Sequence, residues 1–562
     1  MDNQRLMLLA ILGFLGMLLW MEWQKDYNSP VPATDPVAAT SSEVTASPAP
    51  GEVSQDAPAA PSVPQTGDAT TDTTAGPAAV EKTQPPSLDL IRVKTDLIEA
   101  AIDPRGAAIT DLKLLAYPVS LETPDRPFHL LHHDGTHLLI AQTGIVASAG
   151  TSVTNNAVYR SQAQSYELNE GQDELLVRLT HEAEGVRLTK IYRFARDSYQ
   201  VKVTHQVENT AATPWTGSQY VQLQRNALLG DEQSMMMPTY TGGAMYSQED
   251  GYEKMTMDDI AETPLANRLV RDGWIAFIQH YFVTAVIPKR GEDAFFYARE
   301  LRNGRFVVGA TTPPATVAPG TRGSFESTLM LAPKEQDRMA AAAAELDRAV
   351  DYGYLWVISK PLFWVLDKIH AVVGNWGWAI IVLTLLIKLA FFPLSDKAYR
   401  SMARMRAVNP RIQALRERFA DDKQQLNQAM MDLYRKEKIN PLGGCLPMLV
   451  QIPVFIALYY VLLESVEMRQ AEWILWIKDL SLQDPYYVLP VIMAVSMFVQ
   501  QKLNPPPPDP VQAKIMMALP LVFGVFFLFF PAGLVLYWVA NNVLSIAQQW
   551  VITKRIESGQ DK

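Results

Sequence analysis

The chain has 562 residues, more than one hydrophobic core usually organises, so several domains are expected. Its 49 basic and 59 acidic side chains give a net charge of -10, and so mild an excess is less informative than the distribution of charge along the chain. A single cysteine, Cys445, excludes an internal disulfide.

The N-terminal segment is predicted to anchor the chain in a membrane. Residues 6–20 are nearly all apolar, and no A-x-A-like pattern of small residues follows them before Asp26. Because a cleavable signal peptide normally has that pattern, we predict an uncleaved transmembrane anchor at 1–25. Residues 26–87 are rich in Pro, Ala, Thr and Ser and have too little apolar surface to offset the entropy of ordering, which predicts a disordered linker.

The next segment, 88–348, is predicted to fold outside the membrane. Apolar and polar residues alternate along 175–179 and 199–203, and this period of two is typical of half-buried strands. The pattern predicts an all-β sandwich domain. The alanine-rich stretch 335–348 favours a helix that closes this domain.

Four histidines and one aspartate lie close together in this domain: His129, His132, His133, Asp134 and His137. Their spacing matches neither the zinc motifs nor one face of a helix. The sequence therefore favours a polar loop, and no metal site is predicted.

Apolar segments dominate after Tyr354. Residues 349–375 combine aromatic side chains with isolated charges, which favours an amphipathic helix in the membrane interface. Together with the anchor, five later segments are predicted to form transmembrane helices 2 to 6: 376–394, 441–466, 486–503, 515–530 and 534–552. The segments between and after them are predicted to be a basic helical hairpin at 395–440, loops at 467–485 and 504–514, and a tail at 553–562. The predicted fold class is a multi-domain membrane protein with an α-helical transmembrane core and an all-β sandwich.

Basic residues give the predicted orientation. Eleven lysines and arginines lie within 395–440, whereas 467–484 contains only Arg469 and Lys478. Because short cytoplasmic loops carry the excess of positive charge, the basic hairpin should be cytoplasmic. This places the β domain outside and the C-terminus in the cytoplasm.

The basic hairpin has a regular pattern. Apolar residues recur at intervals of three and four, which predicts two amphipathic helices. A basic residue recurs every seven positions in the first helix: Lys397, Arg404, Arg411 and Arg418. This stripe is either a solvated helix face or a docking surface for anionic lipid, a ribosome or a targeting factor.

Lys388 interrupts the apolar run 376–393. A charge at mid-membrane costs about 2.5–3.5 kcal/mol, so the side chain either extends to the membrane surface or has a function. Thr384 lies four residues earlier on the same helix face and extends the polar surface deeper. From this helix alone, both snorkelling and a polar cavity stay open.

Further polar side chains occur in other predicted spans: Gln451, Asn541, Asn542, Gln548 and Gln549. Each alone could be a contact between helices. Together with Lys388 and Thr384, they predict a recess to which several helices contribute.

Several long motifs resemble the YidC family of membrane protein insertases from bacteria with two membranes. They are NPLGGCLP at 440–447, QIPVF at 451–455, VGNWG at 373–377, PAGLVLYW at 531–538, and GWIA at 273–276 followed by QHYF at 279–282. They occur in the same order across most of the chain.

This resemblance implies a five-helix membrane core that encloses a hydrophilic groove, open to the cytoplasm and to lipid but closed toward the periplasm. In the family a basic residue in the groove receives the hydrophilic segment of a nascent membrane protein, and Lys388 occupies that position. The expected substrate-binding residues are Lys388, Thr384, Gln451, Trp538, Asn541 and Asn542. Two of them depart from the family, which commonly has arginine at position 388 and tyrosine at 538.

The resemblance also implies partners. They are nascent membrane proteins, the lipid bilayer, the Sec translocon, and the ribosome or targeting factors at the cytoplasmic face, with no specific nucleic-acid sequence. Neither an enzymatic activity nor a cofactor is implied. Two alternative functions are a membrane-anchored carbohydrate-binding or sugar-processing protein, and a secondary transporter, which usually has internal repeats that are not apparent in this sequence.

Overall fold

The computed structural model describes residues 89–557, except 135–136, 151–152, 154–155, 228–238, 303, 420–421, 438–445 and 504–509. The predicted anchor at 1–25, the whole of the predicted linker at 26–87 and most of the NPLGGCLP motif, with Cys445, lie outside the described residues.

The first described part is a β-sandwich, which confirms the prediction made from the alternating pattern. Its strands are β1 Ile91–Lys94, β2 Ile98–Asp103, β3 Ala108–Pro118, β4 Pro127–His133, β5 Leu138–Ala149, β6 Arg160–Ser161, β7 Ser165–Glu167, β8 Glu174–Ala183, β9 Val186–Ala195, β10 Gln200–Asn209, β11 Trp215–Asn226, β12 Gly242–Ser247, β13 Gly251–Met255, β14 Leu265–Arg271, β15 Trp274–Ile278, β16 Phe282–Pro288, β17 Asp293–Glu300, β18 Arg305–Thr311, β19 Ala315–Val317 and β20 Arg322–Pro333.

Two sheets form this sandwich. One has the order β14-β17-β18-β11-β5-β4-β3-β2-β1-β7, with β19 beside β11, and the other has the order β13-β12-β15-β16-β20-β10-β9-β8-β6. In the second sheet β10 runs antiparallel to β9, with Val201 opposite Phe194 and Val203 opposite Tyr192. All four side chains are buried, so the apolar positions of the alternation face the space between the sheets.

The described helices are α1 Met257–Glu262, α2 Gln336–Ala342, α3 Trp356–Val373, α4 Trp376–Ala390, α5 Phe392–Arg418, α6 Lys423–Lys436, α7 Leu446–Glu464, α8 Val488–Leu503, α9 Pro510–Phe526 and α10 Ala532–Glu557. Helix α3 lies within the segment predicted at 349–375. Helix α5 begins at Phe392, three residues before the hairpin predicted at 395–440, and α6 lies within that segment.

The helix predicted over 335–348 is shorter than expected. Helix α2 ends at Ala342, Ala343 is extended, and Glu345 has a left-handed backbone with φ of 56°. The break lets the carbonyl of Ala344 accept a hydrogen bond of 3.0 Å from the indole of Trp274, and a 3₁₀ turn then buries Leu346. Tertiary contacts therefore override the high helix propensity of the alanine run.

The described residues form two compact units, one from 403–437 and one from 89–402 with 446–557. In the first unit Val408 and Ile412 of α5 are buried against Met430 and Leu433 of α6. Asp422 begins α6 by accepting hydrogen bonds from the backbone amides of the next turn.

No single helix among the described residues has the length and hydropathy to cross a membrane alone. Residues 376–390 of α4 and 392–402 of α5 meet that requirement together, with a bend of 67° between them.

The start of α4 is fixed by capping. The side chain of Asn375 accepts a hydrogen bond from the amide of Trp378 and donates to the carbonyls of Glu472 and Trp473, at 3.0 and 3.1 Å. The preceding Gly374 has φ of 71°, a left-handed conformation that favours glycine and ends α3. These contacts fix where α4 begins, and therefore where Lys388 lies thirteen residues later.

The sandwich packs on the end of α7 through polar contacts. The ammonium of Lys334 lies 3.3 Å from the carboxylate of Glu464, and both side chains are buried. The ring Nε2 of His280 lies 2.9 Å from the carbonyl oxygen of Leu463. Burial lowers the pKa of His280 to about 4, so this ring is neutral near neutral pH.

Candidate functional site

Three helices meet around the Lys388 ammonium. Its Nζ donates to Ser545 Oγ of α10 at 2.8 Å and to Gln451 Oε1 of α7 at 3.3 Å. The amide nitrogen of Gln451 donates in turn to Asn541 Oδ1 of α10. These four residues, Lys388, Gln451, Asn541 and Ser545, are called the polar cluster below.

The hydrogen bonds within the polar cluster fix its orientation. Gln451 uses its oxygen for Lys388, which leaves its amino group to donate to Asn541. The hydroxyl of Ser545 donates to the backbone carbonyl of Asn541 at 2.7 Å, so its oxygen can accept from Lys388. Each uncharged member therefore presents an oxygen where the network needs an acceptor.

The polar cluster carries an uncompensated positive charge. Its three other members are uncharged, and within the described part of the chain no carboxylate lies within ion-pair distance of Lys388. Two of the three ammonium protons have partners in these hydrogen bonds. The site can therefore attract an anionic or hydrogen-bond-accepting group.

An open recess adjoins the lysine. It is small and is lined by Ile387, Lys388, Phe391, Leu394, Ser395 and Gln451. Leu394 and Ser395 belong to the first turn of α5, beyond the bend that follows α4. The recess thus has an apolar side formed by Ile387, Phe391 and Leu394, and its polar groups are Lys388, Ser395 and Gln451.

Two of the predicted substrate-binding residues lie apart from the polar cluster. The hydroxyl of Thr384 is buried and donates to the carbonyl of Ile380 in its own helix at 2.7 Å. Asn542 donates to Ser496 Oγ of α8 at 3.0 Å. The structure therefore brings Lys388, Gln451 and Asn541 together but does not bring Thr384 or Asn542 to them.

Trp538 lies in an aromatic wall next to the polar cluster. Its ring centroid is 4.5 Å from that of Phe455 in an edge-on contact and 5.1 Å from that of Phe527. Trp538 is one turn before Asn541 on α10, so it shares the face that bears Asn541.

The predicted docking residues have different environments. Lys397 and Arg418 are exposed. Arg411 forms an ion pair of 2.6 Å with Glu437, across the two helices of the hairpin. The side chain of Arg404 lies outside the described residues.

Two serines of these networks were missed from the sequence, Ser545 and Ser496. Ser545 follows Asn541 by four residues, a spacing that puts both on one face of a helix and that could have identified it. Ser496 is followed by Gln500 four residues later in α8, so the same spacing could have identified it.

The histidine cluster shows ordinary polar contacts. The Nδ1 of His129 lies 2.9 Å from a carboxylate oxygen of Asp111, and the rings of His132 and His137 are in contact. Burial lowers the pKa of His132. Over the described ranges, no group of His, Cys, Asp and Glu is arranged to hold a metal ion.

Comparisons with known proteins relate both parts of the chain to one family. The model described as the 60Kd inner membrane protein matches residues 368–560, and that of the YidC periplasmic domain matches 90–365. A Stutzerimonas stutzeri protein named membrane protein insertase YidC is 47% identical over 571 residues, covering 100% of this chain and 99% of the relative. A relative of the same name from Azotobacter vinelandii is 46% identical, covering 99% of each chain.

One solved structure, described as an active YidC insertase with its first transmembrane domain resolved, also matches. It is 18% identical, has a TM-score of 0.37, and covers 82% of this chain and 92% of that chain.

Proposed function

Because the chain belongs to the YidC family of membrane protein insertases, we propose that its polar cluster receives the hydrophilic segment of a nascent membrane protein. The inserted protein is called the client below. The observation that carries this proposal is the Lys388 ammonium, which is held by α7 and α10 and has no carboxylate partner among the described residues.

Electrostatic attraction would draw an acidic client segment to this site. At an effective dielectric constant of roughly 20, two opposite charges about 4 Å apart attract by about 4 kcal/mol. Water and the mobility of a lysine side chain reduce this value. Since the partners of Lys388 are uncharged, no described residue neutralises its positive charge.

The apolar segments of the client would leave the site for lipid. Transfer of apolar surface out of water is favourable by roughly 25 cal/mol per Å², and this supplies the driving force. The polar cluster only lowers the barrier for the hydrophilic segment, which otherwise must cross hydrocarbon without hydrogen-bonding partners. This mechanism needs no covalent step, nucleotide or metal.

We further propose the topology that the charge distribution predicts. The relatives are inner-membrane insertases with a periplasmic domain, and in this chain the basic hairpin and the C-terminus would lie in the cytoplasm. The exposed Lys397 and Arg418 support a docking role for the hairpin toward a ribosome, a targeting factor or anionic lipid. Cooperation with the Sec translocon belongs to the same proposal.

The test compares clients with acidic and with neutral translocated tails. Lys388→Arg should keep insertion of both, since it keeps the charge. Lys388→Glu should reduce insertion of the acidic-tailed client at least tenfold, which is about 1.4 kcal/mol of barrier, and should affect the neutral-tailed client less. Protease protection of radiolabelled clients in liposomes that contain the full-length protein measures both.

Lys478→Glu is the matched control, because Lys478 is an exposed lysine outside the polar cluster and contacts only Glu472 in the described ion pairs. It should insert both clients normally. Normal insertion of the acidic-tailed client by Lys388→Glu would reject the proposed role of the charge.

A further inference from the structure

Helix α10 presents a continuous polar stripe on one face. Trp538, Asn541, Ser545 and Gln548 follow one another at intervals of three, four and three residues. Residues at these spacings lie on the same side of an α-helix. The stripe therefore extends the polar cluster by about one turn in each direction along α10.

The middle and the ends of this stripe differ. Asn541 and Ser545 have side-chain partners in Gln451 and Lys388. At one end, both amide atoms of Gln548 are buried and make no hydrogen bond to any described residue. At the other end, the indole Nε1 of Trp538 is also buried without a hydrogen-bond partner among the described residues.

These two ends carry polar atoms that no described residue satisfies. Buried polar atoms in proteins are nearly always paired, so an unpaired buried amide indicates a partner outside the described residues. The neighbouring Gln549 shows the contrast, since its Nε2 donates to the carbonyl of Leu503 in α8 at 3.1 Å. Gln549 therefore links α10 to α8, whereas the amide of Gln548 makes no such bond to a described residue.

We propose that the carboxamide of Gln548 binds the peptide backbone of the client's hydrophilic segment, with the indole N–H of Trp538 as a second contact. This inference rests on the function proposed for the polar cluster and names a further binding residue for it. A primary amide offers a donor and an acceptor together, which matches the C=O and N–H of an extended peptide.

The spacing suits a short extended segment. Ten residues separate Trp538 from Gln548, and at about 1.5 Å per residue this is about 15 Å along α10. An extended peptide rises by about 3.3 Å per residue, so about four to five client residues span the stripe. Lys388 lies beside the middle of that path, through Ser545. Lys388 would attract a charged client group at the centre of the stripe, and Trp538 and Gln548 would bind the client backbone at its ends.

The test uses the full-length protein in liposomes and clients whose neutral tails differ in backbone amides. One tail consists of glycine and serine, and the other has the same length with alternating prolines, which lack the N–H. Gln548→Met keeps the size of the side chain and removes both hydrogen-bonding groups. It should lower the insertion rate of the glycine-serine client roughly threefold to tenfold, as expected for one or two hydrogen bonds, and lower that of the proline client clearly less.

Two further variants separate binding from folding. Gln548→Asn keeps the amide and should keep the difference between the two tails. Gln549→Met removes the amide that joins α10 to α8, so it should lower the thermal unfolding temperature and affect both tails equally. If Gln548→Met lowers the unfolding temperature as much as Gln549→Met and affects both tails equally, Gln548 is structural and the proposal is rejected.

An unchanged insertion rate for both tails in Gln548→Met also rejects it. Because these tails are neutral, the result does not depend on Lys388. A failure of the acidic-tail test would therefore reject the charge mechanism alone, and a failure here would reject backbone binding alone.

Discussion

Lys388, which is half-buried, differs from the fully buried Lys190 in what it leaves unpaired. Lys190, in the core of the sandwich, donates to the carbonyls of Gly106, Ala107 and Thr143 at 3.0, 2.8 and 2.8 Å. All three of its protons are therefore used. Burial lowers the pKa of Lys190 well below its usual value, which fits a group that serves the packing of the sandwich. Lys388 has two hydrogen-bond partners among the described residues and an open recess beside it, so a ligand can reach it.

Glu467 is an acidic residue whose environment opposes its charge. It follows α7 at the junction with the sandwich, and its Oε2 is buried without a hydrogen-bond partner among the described residues. Burial, and then the nearby carboxylates of Glu335, Asp367 and Asp337, raise the pKa of Glu467 to about 8. The folded chain therefore keeps this proton at pH values where the unfolded chain has lost it.

A pH dependence of stability follows from this. Since the pKa rises from the ordinary 4.5 to about 8 on folding, the contribution of Glu467 to stability falls as pH rises through that window. Glu467→Gln, which cannot ionise, should lose less stability than the unchanged protein between about pH 5 and pH 8. Thermal unfolding in detergent measures the difference, and parallel curves for the two proteins over that range would contradict it. His280, whose pKa burial lowers to about 4, is present in both proteins, so its contribution cancels in the comparison.

At the scale of elements, the hairpin of α5 and α6 carries exposed arginines with different partners. Arg411 is 67% exposed and pairs with Glu437 across the two helices, whereas the guanidinium of Arg418 lies 5.4 Å from the ring of Phe419. The seven-residue stripe is therefore not uniform. A docking test that reverses Arg411 would place two carboxylates together and disturb the hairpin itself.

We therefore expect Lys397→Glu with Arg418→Glu, at two exposed positions of the stripe, to weaken docking without unfolding the hairpin. Exposed charges contribute only about 0–1 kcal/mol to stability, but they strongly affect association. Binding to ribosomes and to anionic liposomes, measured by co-sedimentation at low salt, should fall for at least one of the two. A matched control is the exchange of Arg411 and Glu437, which keeps their ion pair. Unchanged binding to both partners would leave the stripe as a solvated helix face.

For the whole molecule, the division between sandwich and helices is not a clean boundary. The polar cluster lies entirely in α4, α7 and α10, which predicts that the sandwich is dispensable for insertion. However, Lys334 at the end of β20 is buried against Glu464 of α7. Arg469, after α7, also donates to the carbonyl of Pro118 in β3 at 2.7 Å. The helical region therefore contributes residues to a shared interface.

These contacts determine where a shortened chain should begin. A chain that joins residues 1–25 to 334–562 keeps Lys334 beside Glu464 and should insert simple clients. A chain that joins 1–25 to 337–562 lacks this cation, and loss of one partner of a buried pair costs up to about 3–5 kcal/mol. It should unfold at a lower temperature, and Glu464→Gln should recover part of the loss. If the longer of the two chains folds but inserts nothing, the sandwich takes part in insertion itself.

The sequence by itself determined the classes of structure. Alternation along 175–179 and 199–203 predicted strands that the structure has as parts of β8 and β10, because one face of each strand must be buried. The long motifs identified the family, which the full-length relatives confirm. The charge of Lys388 within an apolar run also indicated the candidate site, because a charge in a membrane segment is costly and is usually kept for a function.

Only the tertiary structure decided which side chains meet. Lys388 reaches partners that are 63 and 157 residues away in the chain, and no local pattern encodes such separations. Thr384 lies on the expected face, but its hydroxyl is satisfied by the carbonyl of Ile380 within its own helix. Ser545 enters the polar cluster because packing of α10 against α4 brings it within 2.8 Å of the ammonium. Periodicity determines which face of a helix is polar, whereas the pairing of individual donors and acceptors depends on how the helices pack.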